Sequence, residues 1–427
     1  MKLRIIIIFL FLLPSCASSG NGEIIAAQME KFSSAGYKYQ KNGQFIEARE
    51  EYSKLMNLAE EVNDELNHAL ARDFIASTYY NMKDYNKAIE LYKQSAGFYK
   101  KEGYESILAT TYSSITLSYS VSKQYQKALE FALLNVDVAE KLGDKPRLAS
   151  TYLAIGNNLW SLGRYDQGIE SKEKALAIYK ELGDDSRIAS TYNDMGWTLS
   201  DTKHKQKALH YLMKALEINR KPGREHELAG TFDRIGSFYR GADDYDRAIT
   251  NFKEAFRLHE KFKNKKSAAG SLHDIGLSYH MQGNKKRALD LFEQALSIHQ
   301  ELKNESGSLS VLHSMAGVYQ QMGKYDKAIE IYERYLKVSK IRKDTSGIFF
   351  SYMSIGDVYS DWHKFDIASK FYEQALVLVD EFSIDIRRVM KVQVSMALGQ
   401  NYLGTGEIDK AFKHLSSVVQ FAKENGD

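Results

Sequence analysis

A small residue returns every forty positions along most of this chain: Gly36, Ala76, Thr116, Gly156, Gly196, Gly236, Gly276, Ala316 and Gly356, with a tenth, Gly399, after forty-three. A fixed period of this length means that one short structural unit is iterated and that each unit completes its core against its neighbours. Other positions keep the same register. Three residues beyond the marker stand Tyr39, Tyr79, Tyr119, Leu159, Leu199, Tyr239, Tyr279, Tyr319, Tyr359 and Tyr402. Twelve beyond it stand alanines from Ala48 to Ala411, with Gly168 the one exception.

Apolar spacing inside a unit is helical. Ile188, Tyr192, Met195, Gly196 and Leu199 share one helical face, and Ala208, Leu209, Leu212, Ala215 and Leu216 share another. Gly103, Gly143, Gly183 and Gly223, again forty apart, suit left-handed caps that end each second helix, with Asp144, Asp184 and Asp185 opening the next connection. Three prolines in 427 residues leave few helix breakers, which favours an all-helical chain. Glycine within a helix costs about 1 kcal/mol relative to alanine, so its recurrence at the marker calls for a close helix crossing. The tyrosines three positions on are expected to fill the space beside it. The three extra residues before Gly399 belong in a loop between Asp380 and Lys391.

The first residues have the order of a secretory leader: basic Lys2 and Arg4, nine apolar residues from Ile5 to Leu13, then Pro14, Ser15 and Cys16. Such a run is too short to cross a bilayer as a helix, which takes about 20 residues. Leu13, Ser15 and Cys16 resemble a bacterial lipobox, although Pro14 departs from the residues usual there; the resemblance implies that Cys16 is lipidated and becomes the mature N-terminus. The alternative is a plain secreted protein. The expected organisation is a signal peptide over 1–15, a lipidated cysteine and flexible tether over 16–28, and a repeat body over 29–427. As the single cysteine, Cys16 excludes an intramolecular disulfide and a thiolate pair for structural zinc.

Taken together, the small residue, the tyrosine three on, an aromatic about nine on, the alanine twelve on and a small residue nineteen on resemble the tetratricopeptide repeat. The period of forty rather than thirty-four and the missing proline near the repeat end depart from the family pattern. The resemblance implies an all-α, right-handed superhelical solenoid of about ten helix-turn-helix repeats. It also implies a concave groove lined by the first helix of each repeat, at three and two before the marker and one and four after it. Across the middle of the array that lining is Asn157, Trp160, Asn193, Asp194, Trp197, Asp233, Arg234, Arg240, His273, Asp274, His280 and His313. Tryptophan and arginine supply much hot-spot energy at interfaces, so this strip is the candidate binding surface for a protein or peptide. Some family members clamp a C-terminal carboxylate with lysines and asparagines. Asn157 and Arg234 match that set, but Leu153, Asp194 and Gly230 replace the rest and remove both lysines. That ligand preference does not transfer.

Several functions are disfavoured by what the chain lacks. A formal charge of +3 is far from the basic stripe that phosphate binding needs, so nucleic acid is not an expected partner. No glycine-rich phosphate loop, His-Glu-x-x-His motif, calcium loop or Gly-x-Ser-x-Gly elbow occurs, and neither catalysis nor a cofactor or metal is expected. His273, His280 and His313 would need to converge for a metal site, whereas repeats hold equivalent positions nearly a helix diameter apart. The expected function is a lipid-anchored scaffold of the bacterial cell envelope, in assembly or secretion, with a sensory or regulatory module as the alternative. The last unit, through Ala411, Leu415 and Val419, lacks an obvious polar capping helix, which leaves self-association open.

Overall fold

The computed structural model describes residues 20–200, 204–382 and 384–425. The leader over 1–15 and Cys16 lie outside them. The chain divides into two compact units, one to Met195 and one from Gly196. The first contains α1 (Gly20–Lys41), α2 (Phe45–Glu61), α3 (Glu65–Asn81), α4 (Tyr85–Glu102), α5 (Glu105–Val121), α6 (Tyr125–Lys141), α7 (Lys145–Ser161), α8 (Tyr165–Glu181) and most of α9 (Asp185–Leu199). The second contains α10 (Lys205–Asn219), α11 (Glu225–Gly241), α12 (Tyr245–Lys261), α13 (Lys265–Met281), α14 (Lys285–Glu301), α15 (Glu305–Gln321), α16 (Tyr325–Arg342), α17 (Thr345–Asp361), α18 (Phe365–Leu378), α19 (Ile384–Thr405) and α20 (Ile408–Asn425). Among the described residues there is no strand. The helices form helix-turn-helix pairs, the first of each pair carrying the marker. From α1 to α8 and from α10 to α20, each helix packs on the next in sequence.

The turns follow from local chemistry. Among the described residues a left-handed backbone recurs at twenty-residue intervals, from Gly43, Asn63, Lys83 and Gly103 on to Gly323, Lys343 and His363. Gly103, Gly143, Gly183 and Gly223 take φ of +77°, +61°, +63° and +83°, as the sequence predicts for caps of the second helices. After the first helices, the amide one residue beyond the left-handed position returns to the carbonyl five back, as in Asp84 to Tyr79, Asp244 to Tyr239 and Lys364 to Tyr359. That Schellman closure satisfies the orphan carbonyls of the helix end. The first helices α7 and α9 open on a side-chain cap: Asp144 accepts from the Arg147 amide at 3.0 Å and Asp184 from the Arg187 amide at 3.0 Å. Asp185 is instead the first residue of α9.

Inside each pair the marker marks the crossing. A Cβ placed on Gly236 would stand 2.8 Å from the Phe252 ring, and on Gly276 2.6 Å from Phe292. Tyr52 and Tyr372 cross Gly36 and Gly356 in the same way. The side chain that meets the marker is therefore sixteen residues beyond it, and the tyrosines three beyond pack beside it, as Tyr239 and Tyr279 do in the cluster of Phe252 and Ile275. The tyrosines three beyond it take a cation from the second helix, as where Arg247 lies over Tyr239 at 4.4 Å and Arg287 over Tyr279 at 5.5 Å. At Gly156 the crossing residue is Lys172, whose side chain is fully buried; its aliphatic stem replaces a ring and its Nζ reaches Asp194 Oδ2 at 2.7 Å.

Two other expectations are revised. The stretch read as a tether to residue 28 is helical from Gly20, because Met29 and Ile25 pack against Leu55 and Ala59 of α2 and Ala71 of α3. The extra residues before Gly399 give a 3-10 turn at Val379–Glu381, extended Phe382, and an α19 of 22 residues against 17 in α17.

Two substitutions in α11 separate packing from propensity. Gly236→Val should lower stability by about 1–3 kcal/mol through overpacking against Phe252. Gly230 has no neighbour within 4 Å of an added Cβ, so Gly230→Ala should raise stability by up to about 1 kcal/mol. Urea-unfolding midpoints moving in opposite directions would bear this out, and a common direction would refute it.

Candidate functional site

The twelve strip residues all lie on first helices, and their neighbours divide them. Some tie one first helix to the next, and others face solvent.

In the first unit, Asn157 is exposed, while Trp160 is half-buried with its ring tilted on Tyr165 at 4.4 Å. Asn193, expected to face a partner, is buried at 8 % exposure and offers no surface. Asp194 receives the buried Lys172 ammonium. The equivalent of Asn193 two repeats earlier would be Ser113, and Ser113 likewise lies in a polar seam: Asn135 donates to its Oγ at 2.9 Å and to Thr151 Oγ1 at 3.1 Å. One repeat before that, Thr111 donates to Asp73 Oδ2 at 2.8 Å. Burial pushes the Asp73 carboxyl up to about 7, against hydrogen bonds from Ser95, Thr111 and Tyr99 that pull it down.

The second unit repeats the seam with different groups. Asp233 accepts from Ser271 Oγ at 2.8 Å and lies 2.9 Å from His259 Nε2. Both partners meet the same carboxylate and both are buried, so the Ser271 hydroxyl is not presented to the imidazole as a nucleophile would be. Arg240 Nη1 meets Asp274 Oδ1 at 2.5 Å and its guanidinium lies 5.3 Å from the Phe252 centroid. Burial raises the Asp274 carboxyl, and the charge and hydrogen bond of Arg240 oppose that. His273 Nε2 is 2.8 Å from Ser314 Oγ, with its ring on Phe292. Burial, followed by Arg240 and His299, pushes the His273 imidazole down to about 4. Burial also lowers His280 and His313, the latter against the Tyr332 ring. The three histidines do not converge, and among the described residues no three His, Cys, Asp or Glu side chains are grouped to hold a metal.

Trp197 and Arg234 are different. The indole is 50 % exposed, and the Arg234 guanidinium lies 6.0 Å from its centroid. Among the described residues Arg234 has no carboxylate within ion-pair distance, whereas Arg240 is held by Asp274. An accessible aromatic plate with an unneutralised planar cation can take an acidic or aromatic side chain. On another face of this unit, a groove of about 330 Å³ is floored by Leu272, Ile275 and Tyr279 and edged by Lys253, Arg287 and Asp290.

Sequence reasoning found the strip but missed the hydroxyl seam that uses part of it. Its signal was present: Thr111, Thr151, Thr191, Thr231 and Ser271 stand forty apart, each five before a marker.

A family model described as tetratricopeptide repeat matches residues 34–101, 107–181, 147–221, 227–301 and 307–379. None of the curated proteins matches the sequence. Among solved structures, the apo form of the quorum sensor NprR from B. thuringiensis is similar at 13 % identity, over 83 % of this chain and 99 % of that one, with a TM-score of 0.51. A signal transduction ATPase with numerous domains and a tetratricopeptide repeat sensor, from Pyrococcus horikoshii, is similar at 13 % identity. It aligns over 81 % of this chain and 50 % of that one, with a TM-score of 0.51. At these identities the likeness is one of fold.

The His273 shift fixes a pH response. Its pKa falls from 6.5 in the unfolded reference to about 4 in the fold, so between those values the unfolded chain binds more protons. The stabilisation from the neutral ring is complete above 6.5 and is lost as pH falls toward 4. His273→Gln should flatten part of the acid decline in a pH series of urea midpoints, and an unchanged slope would contradict the assignment.

Proposed function

The chain belongs to the tetratricopeptide repeat family, and on that premise we propose that it is a membrane-anchored scaffold that holds a peptide or protein segment along the first-helix strip. The repeats of this family act through protein–protein interaction. What carries the finer reading is the pair Trp197 and Arg234: an indole half open to solvent beside a guanidinium with no carboxylate at ion-pair distance among the described residues. Exposed tryptophan is unusual enough on a protein surface to call for an occupant. The cation beside it favours a segment with an acidic or aromatic residue at that point. Asn157 and His313 offer further exposed polar contacts in their own units.

The anchoring part of the proposal rests on the leader, with Cys16 as the lipidated residue and the bacterial cell envelope as the place, in assembly or secretion. A consistent observation is that among the described residues no helix is long and apolar enough to cross a membrane, so attachment through the body is not available by that route. Cys16→Ser should move the protein from the membrane pellet to the soluble fraction of fractionated cells; retention in the pellet would count against lipid anchoring.

A sensory or regulatory module is the second reading. It is favoured by the two fold neighbours named as sensors, one a quorum sensor and one a tetratricopeptide repeat sensor. Both readings use the same strip and differ in what the bound segment controls.

The strip is tested by cross-linked pull-down from the protein's own membranes, beside a variant carrying Trp197→Ala and Arg234→Ala. Hot-spot truncations cost about 2 kcal/mol or more, so partner recovery should fall at least about tenfold. Equal recovery would move the interface elsewhere, the 330 Å³ groove edged by Lys253 and Asp290 being the next place to examine.

A further inference from the structure

One strip position per repeat, the residue one beyond the marker, runs through the second unit as Trp197, Ser237, Leu277, Gly317 and Asp357. Side chains tie the first helices of this row to one another: Arg240 to Asp274, His273 to Ser314 and Gln320 to Asp361. The two ends of the row differ in charge. At one end Arg234 lies by Trp197, with no carboxylate at ion-pair distance among the described residues. At the other, Asp357 is open to solvent, its Oδ1 accepts from the Tyr372 hydroxyl at 2.8 Å, and among the described residues no cation lies at ion-pair distance from it. Protein packed around the Asp357 carboxyl desolvates it and holds it above the usual carboxylate range, against the Tyr372 hydrogen bond and with Asp361 adding to the rise.

The middle of the row is uncharged and low. Ser237 is small, Leu277 is half-buried, and a Cβ on Gly317 would meet nothing within 4 Å. Unlike the marker glycines, Gly317 is therefore not required by a helix crossing, although glycine lowers helix propensity relative to alanine. What it provides is open space over α15, where another backbone can approach.

We propose that the segment held by the strip carries an acidic residue where it passes Arg234 and a lysine or arginine where it passes Asp357, with its backbone lying over Gly317. This rests on the reading that a segment lies along the first helices, and it adds that segment's charge order and length. Packed helices lie about 8–10 Å apart and an extended chain advances about 3.3 Å per residue, so a span of three repeats sets the two charges on the order of eight residues apart. The opposite signs also fix direction, because the reversed segment would set acid against Asp357 and base against Arg234.

The fold has no use of its own for the Asp357 charge. With the carboxyl held high, its contribution to stability is present at low pH and is lost as pH rises from 3.8 toward the folded value. Asp357→Asn keeps an acceptor for Tyr372, so at neutral pH its urea midpoint should equal or exceed that of the parent, while partner recovery in the cross-linked pull-down falls about tenfold. Gly317→Leu, which fills the open space without meeting a neighbour, should lower recovery similarly with the midpoint retained.

The charge order is read by photo-cross-linking residues placed in the full-length chain at Ser237 or at Ser354, three residues along the helix from Arg234 and Asp357, in the protein's own membranes. Mass spectrometry should map both adducts to one partner stretch, within roughly a dozen residues of each other for a span of this length. Aspartate or glutamate should stand nearer the Ser237 adduct and lysine or arginine nearer the Ser354 adduct. Adducts on separate stretches, the reverse charge order, or an adduct from Ser237 with none from Ser354 would overturn the proposal and leave the scaffold reading standing. So would full recovery with Asp357→Asn where Trp197→Ala and Arg234→Ala lose the partner. No adduct from either position would remove both.

Discussion

Seven of the repeats turn on one helix crossing, where a marker glycine meets a side chain sixteen positions later. Phe252 over Gly236 and Phe292 over Gly276 are the clearest instances. Because the contact is tight, it fixes the rotation of both helices about their axes, and rotation decides which side chains face outward. The residues three and two before the marker, and one and four after it, then fall on the same side in repeat after repeat. The strip is thus a consequence of core packing, made before any demand from a partner.

That placement gives the strip two tasks that compete for the same positions. Neighbouring first helices bring polar groups together out of water, and such groups need partners. The hydroxyl five before the marker supplies one, to Asp73 in the first unit and to Asp233 in the second. Where a strip residue is engaged this way it holds the repeat together and offers little to a ligand, as with Asp233, Asp274 and His273. Trp197 and Arg234 stand in the same register without such engagement to an acid among the described residues, and that difference singles them out for recognition. Lys172 shows the compromise within one residue: its stem packs the crossing over Gly156 and its ammonium closes on Asp194.

The period, the pairing of helices and the caps at Gly103, Gly143, Gly183 and Gly223 were legible in the sequence because each depends on a local property of one residue type. The crossing partner was not, because the residue sixteen beyond the marker varies among tyrosine, phenylalanine, leucine, lysine and alanine. Spacing reveals a position only when its chemistry repeats. The strip could be drawn by register, yet burial of Asn193 and engagement of Asp233 depend on contacts with helices twenty to forty residues away, which no single-helix pattern contains. The tether ended earlier than expected because Ile25 and Met29, few and scattered in the sequence, find a complete apolar site on α2 and α3.

The central claim is that a partner lies along the first helices and not over the second ones. Photo-cross-linking amino acids at Ser237 or Leu277, on α11 and α13, and at Lys253 or Glu293, on α12 and α14, would report this directly in the native membrane. The account predicts adducts to another protein from Ser237 and Leu277 and none from Lys253 and Glu293. Adducts from Lys253 and Glu293 alone would contradict it.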